Sequence, residues 1–252
     1  MTNTRMSSNP EAMRRQRQQR LAKANHQIAS VTGELTGPQR DGASRSELPH
    51  HVSTLEEAFR ALDEERTAAI VSPFRILRGD GFCGIARPQG ALRTAMILRT
   101  FLRSRSTVSA ASSALDACIA VEICDASRPQ GSADEASDGS ALRQADLLME
   151  RARGSGRRLL FATPWPELDS ELDAECALLD AVVARWSKPQ AEAALLCVWF
   201  GRTQKQAAEE LGVTQPAIAQ RLGAAHADAV KALCARYERA VRVHTIASCP
   251  RS

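Results

Sequence analysis

Apolar positions alternate in twos along the first part of this chain and in threes and fours along the last. Ile28–Leu35 shows a strand-like alternation and runs into Gly37-Pro38, which predicts a strand ending in a turn. Residues 38–50 read as a loop. Ser53 or Thr54 can cap a helix over Leu55–Asp63, with Glu56 and Glu57 in its first turn. Ala68–Leu77 and Phe82–Arg87, rich in Ile, Val and Phe, flank Arg78-Gly79-Asp80-Gly81 and predict a hairpin. Gly90–Arg103 has helical spacing, Leu115–Cys124 is an apolar β-prone run, and residues 125–139 lack periodicity. Ser140–Ala152 reads as a helix and Arg158–Ala162 as a short strand, before Pro164 and Pro166 interrupt the chain. From Leu168 onward strand signals vanish. Leu168–Trp186 predicts one long helix and Pro189 opens another through Phe200. Three more follow at about 203–211, 214–223 and 225–241.

This order predicts an α+β fold: a ferredoxin-like domain followed by an all-helical domain. The expected boundaries are a basic tail at 1–25, the sheet domain at 26–166, a linking helix at 167–187, the helical domain at 188–242 and a tail at 243–252.

Within the helical domain, Thr203–Leu222 fits a helix-turn-helix template position by position. Thr203 caps the first helix, and Ala207 and Leu211 lie four apart on its inward face. Ala208 is small where the second helix crosses. Gly212 suits the left-handed backbone that ends the first helix, and Val213 plugs the core beneath the turn. Thr214 caps the second helix, and Pro216 sits in its first turn, where a missing N–H costs nothing. Ile218 and Leu222 return to the core. The segment resembles the region-four-like helix-turn-helix of sigma factors and of many bacterial regulators, which implies duplex DNA as partner. The outward face carries Thr214, Gln215, Ala219, Gln220 and Arg221. Gln pairs with adenine and Arg with guanine in the major groove. Arg202, Thr203, Lys205 and Lys231 are placed for the flank, the cations for phosphates. An ordinary helical hairpin whose glycine is merely a C-cap is the plainer alternative.

Charge supports a polyanion at the ends of the chain. Residues 1–25 hold six Lys/Arg against Glu11, and residues 188–242 hold eight against five acids. The formal net charge of +4 therefore conceals an acidic middle. Hydrophobic residues make up 44% of the chain and aromatic residues 4%, so a core is available but must come from Ala, Leu, Val and Ile. The seven cysteines form no CxxC pair and several sit in apolar runs, as small core residues do in a reducing compartment. No apolar run is long enough to span a membrane, and no hydrophobic signal core opens the chain, so a cytoplasmic location and no membrane partner are expected. Phosphate-loop, nucleophile-elbow and zinc-helix signatures are absent.

The sheet domain carries candidate chemistry of its own. Ile28–Arg40 delivers Glu34 to a strand end, and Asp80 sits on the hairpin tip. Two carboxylates on adjacent strands could hold Mg2+ or Mn2+ together with the phosphates of a nucleotide. The plainer alternatives are a turn residue and a surface carboxylate. Thr32-Gly33-Glu34, Gly79-Asp80, the Gly-Ser-Ala helix start in 138–148 and the helix-turn-helix follow one another as in the SatD family, which the chain resembles over roughly residues 27–241. The sheet domain also resembles, more distantly, class III nucleotidyl cyclases. That likeness implies metal-holding carboxylates at Glu34 and Asp80, where those enzymes have Asp twice. It puts Arg143 in the place of a catalytic Asn and Leu147 in that of a catalytic Arg. These departures count against catalysis, while Arg143 could still clamp a phosphate. The expectation is a DNA-binding transcriptional regulator, homodimeric through its sheet domain. The alternatives are a metal–nucleotide sensor or cyclase-like enzyme targeted to DNA, and an adaptor of the transcription machinery.

Overall fold

A computed structural model describes residues 27–37, 48–64, 70–77, 79–107, 114–125 and 140–247, the side chains of 48–50, 140–146 and 247 aside. The expected basic tail, residues 38–47 of the expected loop at 38–50, and all but the first residue of that at 125–139 lie outside the described residues.

Five strands form one sheet in the order β2-β3-β1-β4-β5, with β1 at Gln27–Thr36, β2 at Ile70–Ile76, β3 at Gly81–Ala86, β4 at Asp116–Asp125 and β5 at Leu159–Ala162. Neighbouring strands are antiparallel except β4 and β5, which are parallel. Helix α1 (Leu48–Glu64) follows β1, α2 (Ala91–Arg105) follows β3 and α3 (Ser140–Ser155) precedes β5. Alternation decides which face each strand residue takes. Ala29, Val31, Leu35, Phe82, Ile119, Val121, Leu159 and Phe161 enter the main apolar cluster with α1 and α2. Cys118, Ala120 and Leu160 point the other way, against Leu148, Met149 and Ala152 of α3. Gly33 is required by its neighbour: a Cβ there would stand 2.3 Å from the Phe82 ring.

The helical part continues the same core. It comprises α4 (Pro166–Val183), α5 (Lys188–Ala194), α6 (Gln204–Leu211), α7 (Gln215–Ala224) and α8 (Ala227–Ala247). Leu168, Leu172, Cys176, Leu179 and Val183 of α4, with Val230, Tyr237 and Val241 of α8, belong to the main apolar cluster. The Tyr237 and Phe161 rings meet at a tilt of 57°, 5.2 Å between centroids.

Four boundaries differ from the sequence expectation. Helix α1 begins at Leu48, so Ser53 and Thr54 are interior positions, not caps, and Thr54 is buried. Pro49 falls in its first turn, where proline is tolerated. The helix expected to run to Trp186 ends at Val183. The helix from Pro189 gives way to a π turn at Leu195–Trp199, and α8 runs six residues past the expected end at 241.

Candidate nucleic-acid interface and sheet rim

The α6–α7 pair is held by local capping and a small core of its own. The Thr203 hydroxyl accepts from the Gln206 N–H at 3.2 Å, and the Gln206 side chain returns a bond from the Thr203 N–H at 2.9 Å. Gly212 takes φ 65°, ψ 34°, and the next residue's N–H bonds back to the Ala208 carbonyl at 3.0 Å. Thr214 caps α7 by accepting from Ala217 N–H. Ala207, Ala208 and Ile218 are buried against Ala193 and Leu196, with Leu211, Val213 and Leu222 packed around them.

The opposite surface of α7 is open. Thr214, Gln215, Pro216, Ala219 and Gln220 are exposed, as are Arg202, Thr203, Lys205 and Lys231 nearby. Thr203 and Thr214 thus spend their hydroxyls on caps while staying at the surface. Arg221 is less available than its spacing implies: it is half-buried and lies 4.0 Å from Glu192 of α5. Glu192 was not singled out in the sequence, because it lies 29 residues away with no local signal.

Several side chains fix the elements around this unit to one another and to α2. Arg93 donates to the Trp199 carbonyl at 2.7 Å and stands over the Trp199 ring. The Trp199 indole donates to the Thr100 hydroxyl at 3.0 Å, and the Tyr237 hydroxyl donates to the Pro88 carbonyl at 2.8 Å. The Trp186 indole donates to the Ala225 carbonyl, at the turn between α7 and α8, at 2.8 Å. Beneath them runs a buried ionic network. Arg99 forks onto both Asp116 oxygens at 2.9 and 3.0 Å and reaches Asp180 of α4 at 2.6 Å. Arg103 donates to Asp116 at 3.2 Å and to the Ala184 and Trp186 carbonyls at 2.9 and 2.8 Å. Burial opposes the charge on both Arg99 and Asp116, but the facing opposite charges prevail: Arg99 is held above its ordinary pKa and Asp116 below its own. For Arg103 burial prevails and its pKa falls.

The sheet rim does bring Glu34 and Asp80 together in backbone terms. Glu34 registers with Gly81 across β1 and β3, and the Leu35 N–H donates to the Asp80 carbonyl at 3.1 Å. The Glu34 carboxylate, however, is almost fully buried and forked by Arg153 of α3, at 2.9 and 2.6 Å to its two oxygens. Hydrogen bonding to Glu34, outweighing burial, raises the Arg153 pKa. A bidentate guanidinium neutralises the carboxylate and occupies the oxygens that a cation would need. Among the described residues, no three His, Cys, Asp or Glu gather as metal ligands. This donor set does not fit a divalent ion. The pair spans 119 residues of sequence, so no motif announces it. Leu147 is exposed on α3, and the Arg143 side chain lies outside the described residues.

Cys83, Cys118, Cys176, Cys197 and Cys234 are free thiols. Burial pushes the Cys118 thiol up to about 11 and that of Cys234 to about 12. No helix among the described residues is long and apolar enough to cross a membrane.

The chain matches no protein-family model and no curated protein. Among solved structures it is similar to the GGDEF domain of DgcB from Caulobacter crescentus in complex with c-di-GMP. Identity is 13% and the TM-score 0.34, over 65% of this chain and 98% of that one.

Proposed function

We propose that this chain is a sequence-directed duplex-DNA-binding regulator that reads bases with the outer face of α7. One observation carries the reading: Gln215, Ala219 and Gln220 stand exposed on one side of a short helix that is capped at its N-terminus by Thr214, joined to a capped α6 through a left-handed glycine turn and buried on its other side at Ile218. A helix held in this way can enter a major groove without reorganising. Arg202, Lys205 and Lys231 then meet phosphates, which position without specifying. Arg221, tethered by Glu192, reads guanine only after leaving that partner.

The strand order β2-β3-β1-β4, with helices after β1 and β3, supports a ferredoxin-like reading of the sheet with one added parallel strand. The order of the Thr-Gly-Glu, Gly-Asp and helix-turn-helix segments supports the SatD likeness. Free, mostly shielded cysteines suit a reducing cytoplasm. The metal–nucleotide alternative gains no support from the rim, where Arg153 holds Glu34.

The test is selection of bound sites from a random duplex pool with the full chain, then titration of the selected site. Gln220→Ala and Gln215→Ala are each expected to cost about 1–3 kcal/mol of binding where they touch a base, and to relax preference at that base. Melting should not change. A pool with no enriched sequence, or affinities indifferent to both substitutions, would remove the reading.

A further inference from the structure

We infer that α4 is a self-association face, through which two copies of this chain pair with their α4 helices antiparallel and centred near Leu178. The apolar residues Leu168, Leu172, Cys176, Leu179 and Val183 of α4 are buried against the rest of the protein, yet Leu178 is 64% exposed. At roughly 100° per residue, Glu167, Glu171, Ala174, Ala181 and Arg185 fall within about 60° of Leu178. All five are exposed. Arg185 extends the helical path, since its N–H bonds to the Val182 carbonyl. Two alanines beside one leucine let a second helix approach closely.

Charge selects the partner and the direction. The exposed stripe is acidic at its start, with Glu167 and Glu171, and basic at its end, with Arg185. Antiparallel pairing about Leu178 sets Arg185 of each copy beside Glu171 of the other, a carboxylate that Arg236 holds within its own chain and that Arg185 would share, and opposes the two helix dipoles. A parallel pair would set like charge on like charge.

Helix α8 flanks α4. Arg236 bonds Glu171 at 3.1 Å and pairs with Glu175, and the Trp165 and His244 rings lie 5.4 Å apart, so α8 runs antiparallel beside α4. Two turns beyond Arg236, Val243 is 63% exposed, and Ile246 follows at 46%. Of the five large apolar side chains left exposed among the described residues, three therefore sit on these two helices. Val243 and Ile246 lie toward the Trp165 end of α4 and away from Leu178, so the α4 stripe itself carries the inference. The sheet offers less: its edge strand β2 carries Pro73 and two register shifts, devices that discourage edge pairing.

The measurement is sedimentation equilibrium of the full chain without DNA, which keeps it independent of the DNA-binding reading. Wild type is expected at twice the chain mass in the micromolar range. Leu178→Glu buries two carboxylates at the axis and should weaken the dimer at least about tenfold. Arg185→Glu removes the charge match and should weaken it most at low salt. Both positions are exposed, and melting by circular dichroism reports whether each variant stays folded; should Leu178→Glu melt early, Arg185→Glu decides alone. A monomeric wild type overturns the inference, as does a dimer whose dissociation constant neither folded variant moves. A dimer that selects no duplex would sink the DNA-binding reading and leave this one standing.

Discussion

At Asp116 the first residue of a strand meets two arginines out of reach of solvent. Burying three charges is costly, and the arrangement holds only because each is matched and hydrogen-bonded. Asp116→Asn leaves Arg99 and Arg103 with one carboxylate fewer, and a loss of about 3–5 kcal/mol is expected in urea unfolding at neutral pH. The pH dependence has a definite sign. The folded carboxyl lies below its ordinary value, so its contribution is complete above the unfolded pKa of about 3.9 and drains away as pH falls through the folded one. Wild type should therefore lose stability on acidification below about pH 4 more steeply than Asp116→Asn. Equal acid slopes for the two proteins would remove Asp116 from the account. Gly212 poses a smaller question. A Cβ there meets nothing within 4 Å, but φ is 65°, so Gly212→Ala should cost about 1 kcal/mol through backbone strain alone. Since Gly212 stands beside the reading face and not on it, thermal melting should register that loss while duplex site preference stays unchanged.

Secondary elements were legible where their signals are local. The α6–α7 pair is specified within twenty residues, because caps, glycine and core positions all lie within one or two turns of one another. Thr203, Gly212 and Thr214 accordingly take the expected cap and turn geometry. The hairpin of β2 and β3 was legible for the same reason: Gly79 takes φ 75° between two β-prone runs. The start of α1 was not, since Leu48-Pro49-His50-His51 has the composition of a loop. The π turn at Leu195–Trp199 lies in an apolar run that reads as continuous helix; the Phe200 N–H reaching five residues back to Leu195 marks it. Long-range pairs were beyond reach. Arg99 looks like a solvent-facing residue of a helix, and its partner Asp180 lies 81 residues on. Glu34 stands out in the sequence as a carboxylate at a strand end, but nothing near it announces Arg153. Capping gives this scale its own test. Thr203→Ala and Thr214→Ala should each lower stability by about 1 kcal/mol. Neither should alter which duplex is selected, since their hydroxyls already serve backbone N–H groups. A changed site preference in either variant would give that threonine a base contact in place of a purely capping role.

The whole molecule is welded across the division that its sequence suggests. One apolar cluster runs from Val31 in the sheet through Leu179 to Trp186, Trp199 and Tyr237. Hydrogen bonds cross the same boundary in both directions, from Arg93 and Arg103 outward to the helical segments and from Trp199 and Tyr237 back. Arg99 joins β4 to α4 through carboxylates on each. A helical unit joined only by a linker would open independently, whereas one sharing a core exposes that core if it leaves. Equilibrium unfolding is therefore expected to be a single transition. The three tryptophans make this measurable, because Trp165, Trp186 and Trp199 are all buried in the helical half or at its junction with the sheet. Their fluorescence reports that half, while circular dichroism averages the helices of both halves. Coincident urea midpoints and equal slopes by the two probes would match a shared core. Thr100→Val and Tyr237→Phe, which delete one polar anchor each, should shift both curves together by about 1 kcal/mol. An early fluorescence transition that leaves part of the helical signal intact would show instead that the helical half unfolds alone. In that case the orientation of α7 would be set by a hinge and not by the sheet.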